Sequence, residues 1–238
     1  MSLITICQDT ASALGLRQPA TIAGSSDLTA QILFRLANEA GRHLKGYHDW
    51  QNLIVQKTFT SLATQEQTNA LPSTGAAQYD RMVYNAEVWN RTSNQRFWGP
   101  MPQRYWERLA SGLVTAGAPG YWRIIGNQLN ILPVMTAGQT IAFEYITKNW
   151  CQSSGGTGQT AFAADTDTAK IDEELFVLEM VWRFRKSRGF AQYAEDMETC
   201  EREKEKAAAR DRGTGRIRPE SNWSGGPPSP FFGGHIDG

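Results

Sequence analysis

The chain predicts an α+β fold: a helical bundle core of about four or five helices, an antiparallel β-meander region and an extended C-terminal arm. Three observations predict it. Apolar residues recur at spacings of three and four before about residue 48 and again after about residue 169, the period of a helix face. Between about residues 53 and 150 the period changes to two, the period of a strand. The last 26 residues, 213–238, hold seven Gly and four Pro, which neither a helix nor a regular strand accepts.

The first helix is predicted over about 3–15, where Leu3, Ile6, Cys7, Ala11 and Leu14 lie near one face. Residues 19–26 break it. Ser26 or Asp27 can cap a second helix over 28–47, because a short side-chain oxygen accepts an orphan amide hydrogen. Its apolar stripe is Leu28, Ile32, Leu33, Leu36, Ala40, Leu44 and Tyr47, opposite Arg35, Asn38, Glu39, Arg42 and Lys45.

In the β region, Met82, Tyr84, Ala86 and Val88 alternate with polar neighbours, as do Leu129 and Ile131, and Ile141, Phe143 and Tyr145. Gly126-Asn127 between two such runs predicts a two-residue hairpin, and Thr136-Ala137-Gly138 a second turn. Five or six strands are expected, interrupted by a short helix over about 102–113. A loop follows at 153–158. A helix is predicted over about 169–188, with Asp172, Glu173 and Glu174 in its first turn, where negative charge suits the helix dipole, and Gly189 as its stop. The last helix, about 190–210, should pack through Phe190, Tyr193, Met197 and Cys200. Beyond Cys200 it is polar, with Glu198–Arg202, Glu201–Lys204 and Glu203–Lys206 pairs, so this half should project from the body. The body then spans 1–212 and the arm 213–238.

Composition excludes several classes. Lys+Arg and Asp+Glu both number 24, and the zero net charge argues against tight non-specific nucleic-acid binding. Cys7, Cys151 and Cys200 are far apart, with no disulfide framework or CxxC metal pair, which suits a reducing compartment. Neither a signal peptide nor a membrane span is expected.

Candidate chemistry is thin. Asp172, Glu173 and Glu174 are clustered carboxylates, but neighbours on a helix point to different faces, unlike a glycosidase pair across a cleft. Asp165-Thr166-Asp167 begins like a calcium loop, yet Ala169 and Lys170 stand where such a loop needs Asp/Asn and Gly. Gly155-Gly156-Thr157-Gly158 lacks the Gly-Lys-Ser/Thr of a phosphate loop. His43 and His48 are five apart, not the i, i+4 of a helical metal pair; His48-Asp49-Trp50 should end the second helix with Trp50 in the core. Cys151 has no implied histidine partner. The aromatic run Phe97-Trp98, Tyr105-Trp106 and Tyr121-Trp122 suits a core or subunit interface better than stacking on bases or sugars. The Arg183–Arg188 cluster suits an ion-paired helix end better than a DNA contact. No catalytic residue, metal ligand or cofactor is therefore assigned, and the chain is expected not to be an enzyme.

The order of several segments resembles the head-to-tail adaptor proteins of short-tailed bacteriophages, also called connector, tail accessory or tail tubular proteins. These segments are Leu3-Ile4-Thr5-Ile6-Cys7-Gln8-Asp9, His48-Asp49-Trp50-Gln51, Trp89-Asn90-Arg91-Thr92, and Thr140-Ile141-Ala142-Phe143-Glu144-Tyr145 running into Lys148-Asn149-Trp150. The strongest stretch is 162–196, with Asp165-Thr166-Asp167-Thr168, Asp172-Glu173-Glu174-Leu175 and Tyr193-Ala194-Glu195-Asp196. Together they cover about residues 1–210.

The resemblance implies a structural virion protein. Such adaptors form a homo-oligomeric ring, usually of twelve copies, beneath the dodecameric portal protein. They extend the channel through which double-stranded DNA passes without sequence-specific binding, for genome retention and ejection. They meet tail nozzle or fibre proteins and no membrane. The implied location is the virion head-tail interface, and the host cytoplasm during assembly. In relatives the C-terminal segment reaches up along the portal. Arg212 stands just before the arm, which carries Arg216 and Arg218 near its start, and Trp223, Phe231 and Phe232 as aromatic anchors that a solvated tail does not need. These six residues are the expected contacts to portal or to a neighbouring copy. Another tail component (stopper or nozzle) and, further off, a cell-wall glycosidase are the alternatives.

Overall fold

The protein is α+β. The computed structural model describes residues 2–113 and 119–211. Within them the chain forms two compact units: one of residues 2–54, 74–81 and 146–211, and one of 55–73, 82–113 and 119–145. The arm 213–238, and Arg212 with it, lies outside the described residues.

The first unit is built on α1 (Leu3–Ala13), α2 (Leu28–Tyr47), α4 (Glu173–Arg188) and α5 (Tyr193–Asp211), numbered with a short α3 (Gln103–Arg108) that belongs to the second unit. α1 packs on α2 and α4, α2 on α4, and α4 on α5. Asp27 caps α2 by accepting from the Ala30 amide at 3.1 Å. Asp172 caps α4 by accepting from Glu174 N at 3.1 Å, so this helix starts after the acidic triplet's first member rather than before it. Gly189, left-handed at φ 73°, closes α4.

α2 buries Ala30, Leu33, Leu36, Ala37, Ala40, Gly41 and Leu44. Two of its expected contacts, Leu28 and Tyr47, are exposed, and Asn38 from its expected polar side is buried. The reason is a specific bond: Asn38 Oδ1 accepts from Phe162 N at 2.8 Å, and its Nδ2 donates to Phe162 O at 3.4 Å. Phe162 then packs on Trp150, ring centroids 4.8 Å apart, and both pack on Phe176 of α4. Gly41 admits this cluster. A Cβ there would lie 2.3–2.5 Å from the Trp150 ring carbons.

α5 corrects two expectations. It begins at Tyr193, not near 190, and its packed face is the opposite half. Phe190 and Met197 are exposed, whereas Cys200, Lys204, Ala207 and Ala208 are buried. The half beyond Cys200 therefore does not project; it lies against the body.

The strands of this unit are short. β9 (Cys151–Gln152) pairs antiparallel with β10 (Gly158–Gln159) and β11 (Thr168–Ala169). The glycine loop between β9 and β10 is a hairpin turn, with Ser153 N bonded to Thr157 O at 2.9 Å and Gly156 at φ 79°.

The second unit holds most of the β structure. Its strands are β1 (Ile54–Thr60), β2 (Glu66–Gln67), β4 (Val88–Asn90), β5 (Gln95–Phe97), β6 (Tyr121–Ile125), β7 (Gln128–Leu132) and β8 (Thr140–Thr147), the last two residues of β8 and all but Met82 of β3 (Tyr79–Met82), which pairs with β8, being counted in the first unit. One sheet runs β1-β8-β4-β5 and another β2-β7-β6. Neighbours in sequence pair at β4–β5 and β6–β7, while β8 inserts between β1 and β4, so strand order is not sequential throughout. Gly126 and Asn127 make the β6–β7 hairpin with φ of 57° and 61°, the geometry of a type I′ turn.

The run Met82–Val88 is not one strand. The chain turns after Met82, with Ala86 N bonded to Val83 O at 2.9 Å and Asn85 left-handed at φ 58°, leaving Tyr84 exposed. The aromatic run forms core: Met101, Trp106, Leu109, Tyr121 and Leu132 cluster, with Trp98 and Tyr105 packed against them.

Candidate functional site

The expected partner-binding residues Arg212, Arg216, Arg218, Trp223, Phe231 and Phe232 lie outside the described residues. What the structure places is the root from which they start. Asp211, the last residue of α5, accepts from the Gln51 amide at 2.9 Å and lies 3.4 Å from His48 Nε2. Gln51 and His48 follow α2 directly, so the end of α5 is tied to the end of α2. A cleft of about 530 Å³ opens beside this tie, lined by Trp50, Asn52, Lys170, Asp172, Glu173 and Arg210 among others.

α5 is held at its middle, through Cys200 and Lys204, by a buried ionic cluster that sequence reasoning missed. Glu179 of α4 is wholly buried. Its Oε1 accepts from Arg183 Nη2 at 2.7 Å and Nε at 3.0 Å, and lies 2.8 Å from His43 Nδ1 of α2. Its Oε2 accepts from Trp182 Nε1 at 3.1 Å and Cys200 Sγ at 3.1 Å, and lies 3.4 Å from Lys204 Nζ. Lys204, also wholly buried, donates to Glu201 at 2.5 Å, and its ammonium sits 5.0 Å from the Tyr47 ring centroid. Arg183 reaches on to Glu39 at 2.7 Å. One carboxylate thus joins three helices.

The electrostatics favour cohesion over reactivity. Burial pushes the Glu179 carboxyl up, but hydrogen bonds from Cys200, Arg183 and Trp182, with the Lys204 charge, outweigh it and hold the group below its ordinary range. Burial, reinforced by the Glu179 bond, pushes the Cys200 thiol up to about 12. A reactive cysteine needs the opposite shift. Cys200, Glu179 and His43 are the grouping most like a nucleophile with its helpers, yet thiol and carboxylate are both fully buried. The signal for the cluster was a Glu inside the apolar stripe of α4, and a Lys four residues after Cys200 on the same face of α5.

The other candidates have structural duties. Asp165 accepts from Ile22 N and Ala23 N at 3.1 and 2.6 Å. Asp167 accepts from Ala163 N and Ala164 N at 2.7 and 2.9 Å. Their backbone oxygens receive the first amides of α1, Leu3 N to Asp167 O at 2.7 Å and Ile4 N to Asp165 O at 3.2 Å. Cys7 and Cys151 are buried, and burial foremost, with Asp165 and Asp167 respectively adding to it, pushes each thiol up to about 12. In the basic cluster, Arg185 pairs with Asp196 at 2.6 Å, Lys186 lies over Trp182, and Arg188 over Phe184. Asp172 caps α4, and Glu173 stands beside it at the cleft rim.

Among the described residues no group of His, Cys, Asp or Glu is placed to hold a metal ion, and no helix is long and apolar enough to cross a membrane. No protein-family model matches the chain, and no match to a curated protein is found.

Proposed function

We propose that the chain is a structural virion protein, a head-to-tail adaptor whose copies form a ring joining the portal protein to the tail. In this reading the helices of the first unit are the bundle core, and the meander-like β region is a separate module. The arm 213–238 docks on portal or on a neighbouring copy, through Arg212, Arg216, Arg218, Trp223, Phe231 and Phe232. The ring, of twelve copies, extends a channel for double-stranded DNA and meets nozzle or fibre proteins below. The protein works by assembly and not as an enzyme, in the host cytoplasm and then in the virion.

One observation carries the reading. Three of the stretches that resemble adaptors, 3–9, 48–51 and 165–168, are fasteners of the first unit. Residues of 3–9 bond to residues of 165–168 across some 160 positions of sequence. In His48-Asp49-Trp50-Gln51, Asp49 accepts from Arg81 at 2.8 Å, Trp50 Nε1 donates to Leu44 O at 2.7 Å, and the outer two meet Asp211. A likeness that includes such residues is in that part a likeness of scaffold, which suits a protein whose work is to be a part. Closing copies head to tail around an axis needs two different faces on each copy that complement one another, at a rotation that closes.

The test is to mix purified chain with the portal ring of the phage that carries it, and to image the product by negative stain. A ring docked on portal is expected, and a chain lacking 213–238 should keep its melting temperature and fail to dock. Undiminished docking of the truncated chain overturns the role of the arm. Absence of any ring with the full chain overturns the adaptor reading in favour of a stopper or nozzle part. Glycan hydrolysis lost in Glu173→Gln would favour the glycosidase.

A further inference from the structure

The second unit carries a cleft that the adaptor reading does not use. It measures about 490 Å³, and its lining includes Tyr84, Trp89, Gln56, Arg91, Asn94 and Glu144. Trp is highly buried on average, so an indole left open in a cleft beside a second aromatic ring needs a reason. Tyr84 is 78% exposed and Trp89 39%.

Local sequence explains how the indole is presented. β4 alternates: Val88 and Asn90 point into the unit, and Trp89 points out. Its cross-strand neighbours are Arg96 on β5 and Ala142 on β8. Ala142 is too small to cover the indole, so the β8 side stays open as the cleft. Trp89 Nε1 donates to Glu87 Oε2 at 2.9 Å, and Glu87 Oε1 lies 3.0 Å from Arg96 Nη1. Arg96 is itself stacked 4.4 Å over the Trp98 ring. The indole is therefore held in place before any ligand arrives, which lowers the entropic loss of binding. Tyr84 stands on the turn that left-handed Asn85 allows.

The chemistry of the lining selects a ligand class. Aromatic faces carry a negative quadrupole that attracts partly positive groups, and the C–H face of a sugar ring is such a group. Around the rings stand amides from Gln56 and Asn94, the Arg91 guanidinium, and carboxylates from Glu87 and Glu144. Sugar hydroxyls donate and accept at once, and this set offers both partners. Glu87 is already paired with Arg96, which leaves Glu144 and Arg91 to balance each other, and a lining without net charge suits a neutral ligand.

We propose that this cleft binds a neutral oligosaccharide, stacked on Trp89 and Tyr84 and hydrogen-bonded by Gln56, Arg91, Asn94 and Glu144. The test is calorimetric titration of the full chain with cellohexaose, laminarihexaose, chitohexaose and mannohexaose. Binding of at least one is expected, and Trp89→Ala should weaken it by about tenfold or more, the effect of one lost stacking contact. Tyr84→Ala, at a largely solvated side chain, keeps the test sound if Trp89→Ala disturbs the sheet, and should weaken binding likewise. Failure of all the hexaoses to bind, or equal binding by both variants, overturns the proposal. Neither outcome bears on portal docking.

Discussion

Gly41 and Trp150 share one space. The ring carbons of Trp150 stand 2.3–2.5 Å from where a Cβ on residue 41 would be, and Trp150 is almost fully buried between Phe162 and Phe176. The ring has no room to retreat. Gly41→Ala should therefore destabilise the first unit by about 1–3 kcal/mol, an overpacking loss, although Ala is the better helix former. Urea titration reads it as a lower midpoint with unchanged slope. Trp150→Leu in the same chain should recover part of the Gly41→Ala loss, because residues in contact couple. Additive losses would count against this packing.

Removing Glu179 should be more damaging than removing any one of its partners. Glu179→Leu leaves Lys204 buried with Glu201 as its remaining carboxylate, leaves Arg183 with Glu39 alone, and takes the carboxylate from His43. Breaking a buried pair in this way costs about 3–5 kcal/mol. Lys204→Met should cost less, since Glu179 keeps Arg183, Trp182 and Cys200. Chemical denaturation of the two single variants and the double gives the ranking.

The same cluster predicts a pH response. Glu179 is held below its ordinary value, so its stabilising contribution is present above that value, near 4.5, and is lost as pH falls through the folded-state value. Lys204 behaves oppositely. Burial lowers its affinity for the proton, but Glu201 and Glu179 outweigh it and hold the group above its ordinary 10.5. Its contribution is complete below that value and disappears as pH rises through the folded one. Glu179→Gln should flatten the acid limb of a melting-temperature profile and also shrink the alkaline limb, because the Glu179 charge is one of those that hold Lys204 up.

The three thiols should be silent in the folded protein. Each is buried and raised to about 12, so the thiolate is scarce at pH 8. A colorimetric thiol reagent should label none of Cys7, Cys151 and Cys200 until denaturant is added, and then all three. Rapid labelling of the native chain would refute the burial.

Asp167→Ala should destabilise by about 1–3 kcal/mol, because it strands the amides of Ala163 and Ala164. Calcium and chelator should leave the wild-type melting temperature unmoved, since both Asp165 and Asp167 already accept backbone hydrogens.

What the sequence disclosed was local. A cap at Ser26 or Asp27 placed the start of α2, with Asp27 the one that makes the bond, Gly189 ended α4, and Gly126-Asn127 made its hairpin, because caps and turns are chemistry between near neighbours. Non-local partners were hidden. Lys204 looked solvated because its face was judged by polarity, while Glu179, the residue that makes its burial tolerable, sits on another helix. Asn38 was misplaced for the same reason, its partner being the Phe162 backbone. Met82–Val88 alternated like a strand over a stretch too short to exclude a turn. Of the site, the sequence offered the arm, which falls outside the described residues, and passed over Trp89, whose exposure depends on the small Ala142 opposite.

The tie between Asp211 and Gln51 has a mechanical meaning. A pull on the chain beyond residue 211 first loads that bond, then runs down α5 to Lys204 and enters α4 through Glu179 and α2 through His43. Bonds set side by side along a helix share a load applied along its axis, whereas a lone terminal contact would peel. α5 is thus built as a tendon, gripping the body at points four and seven residues apart.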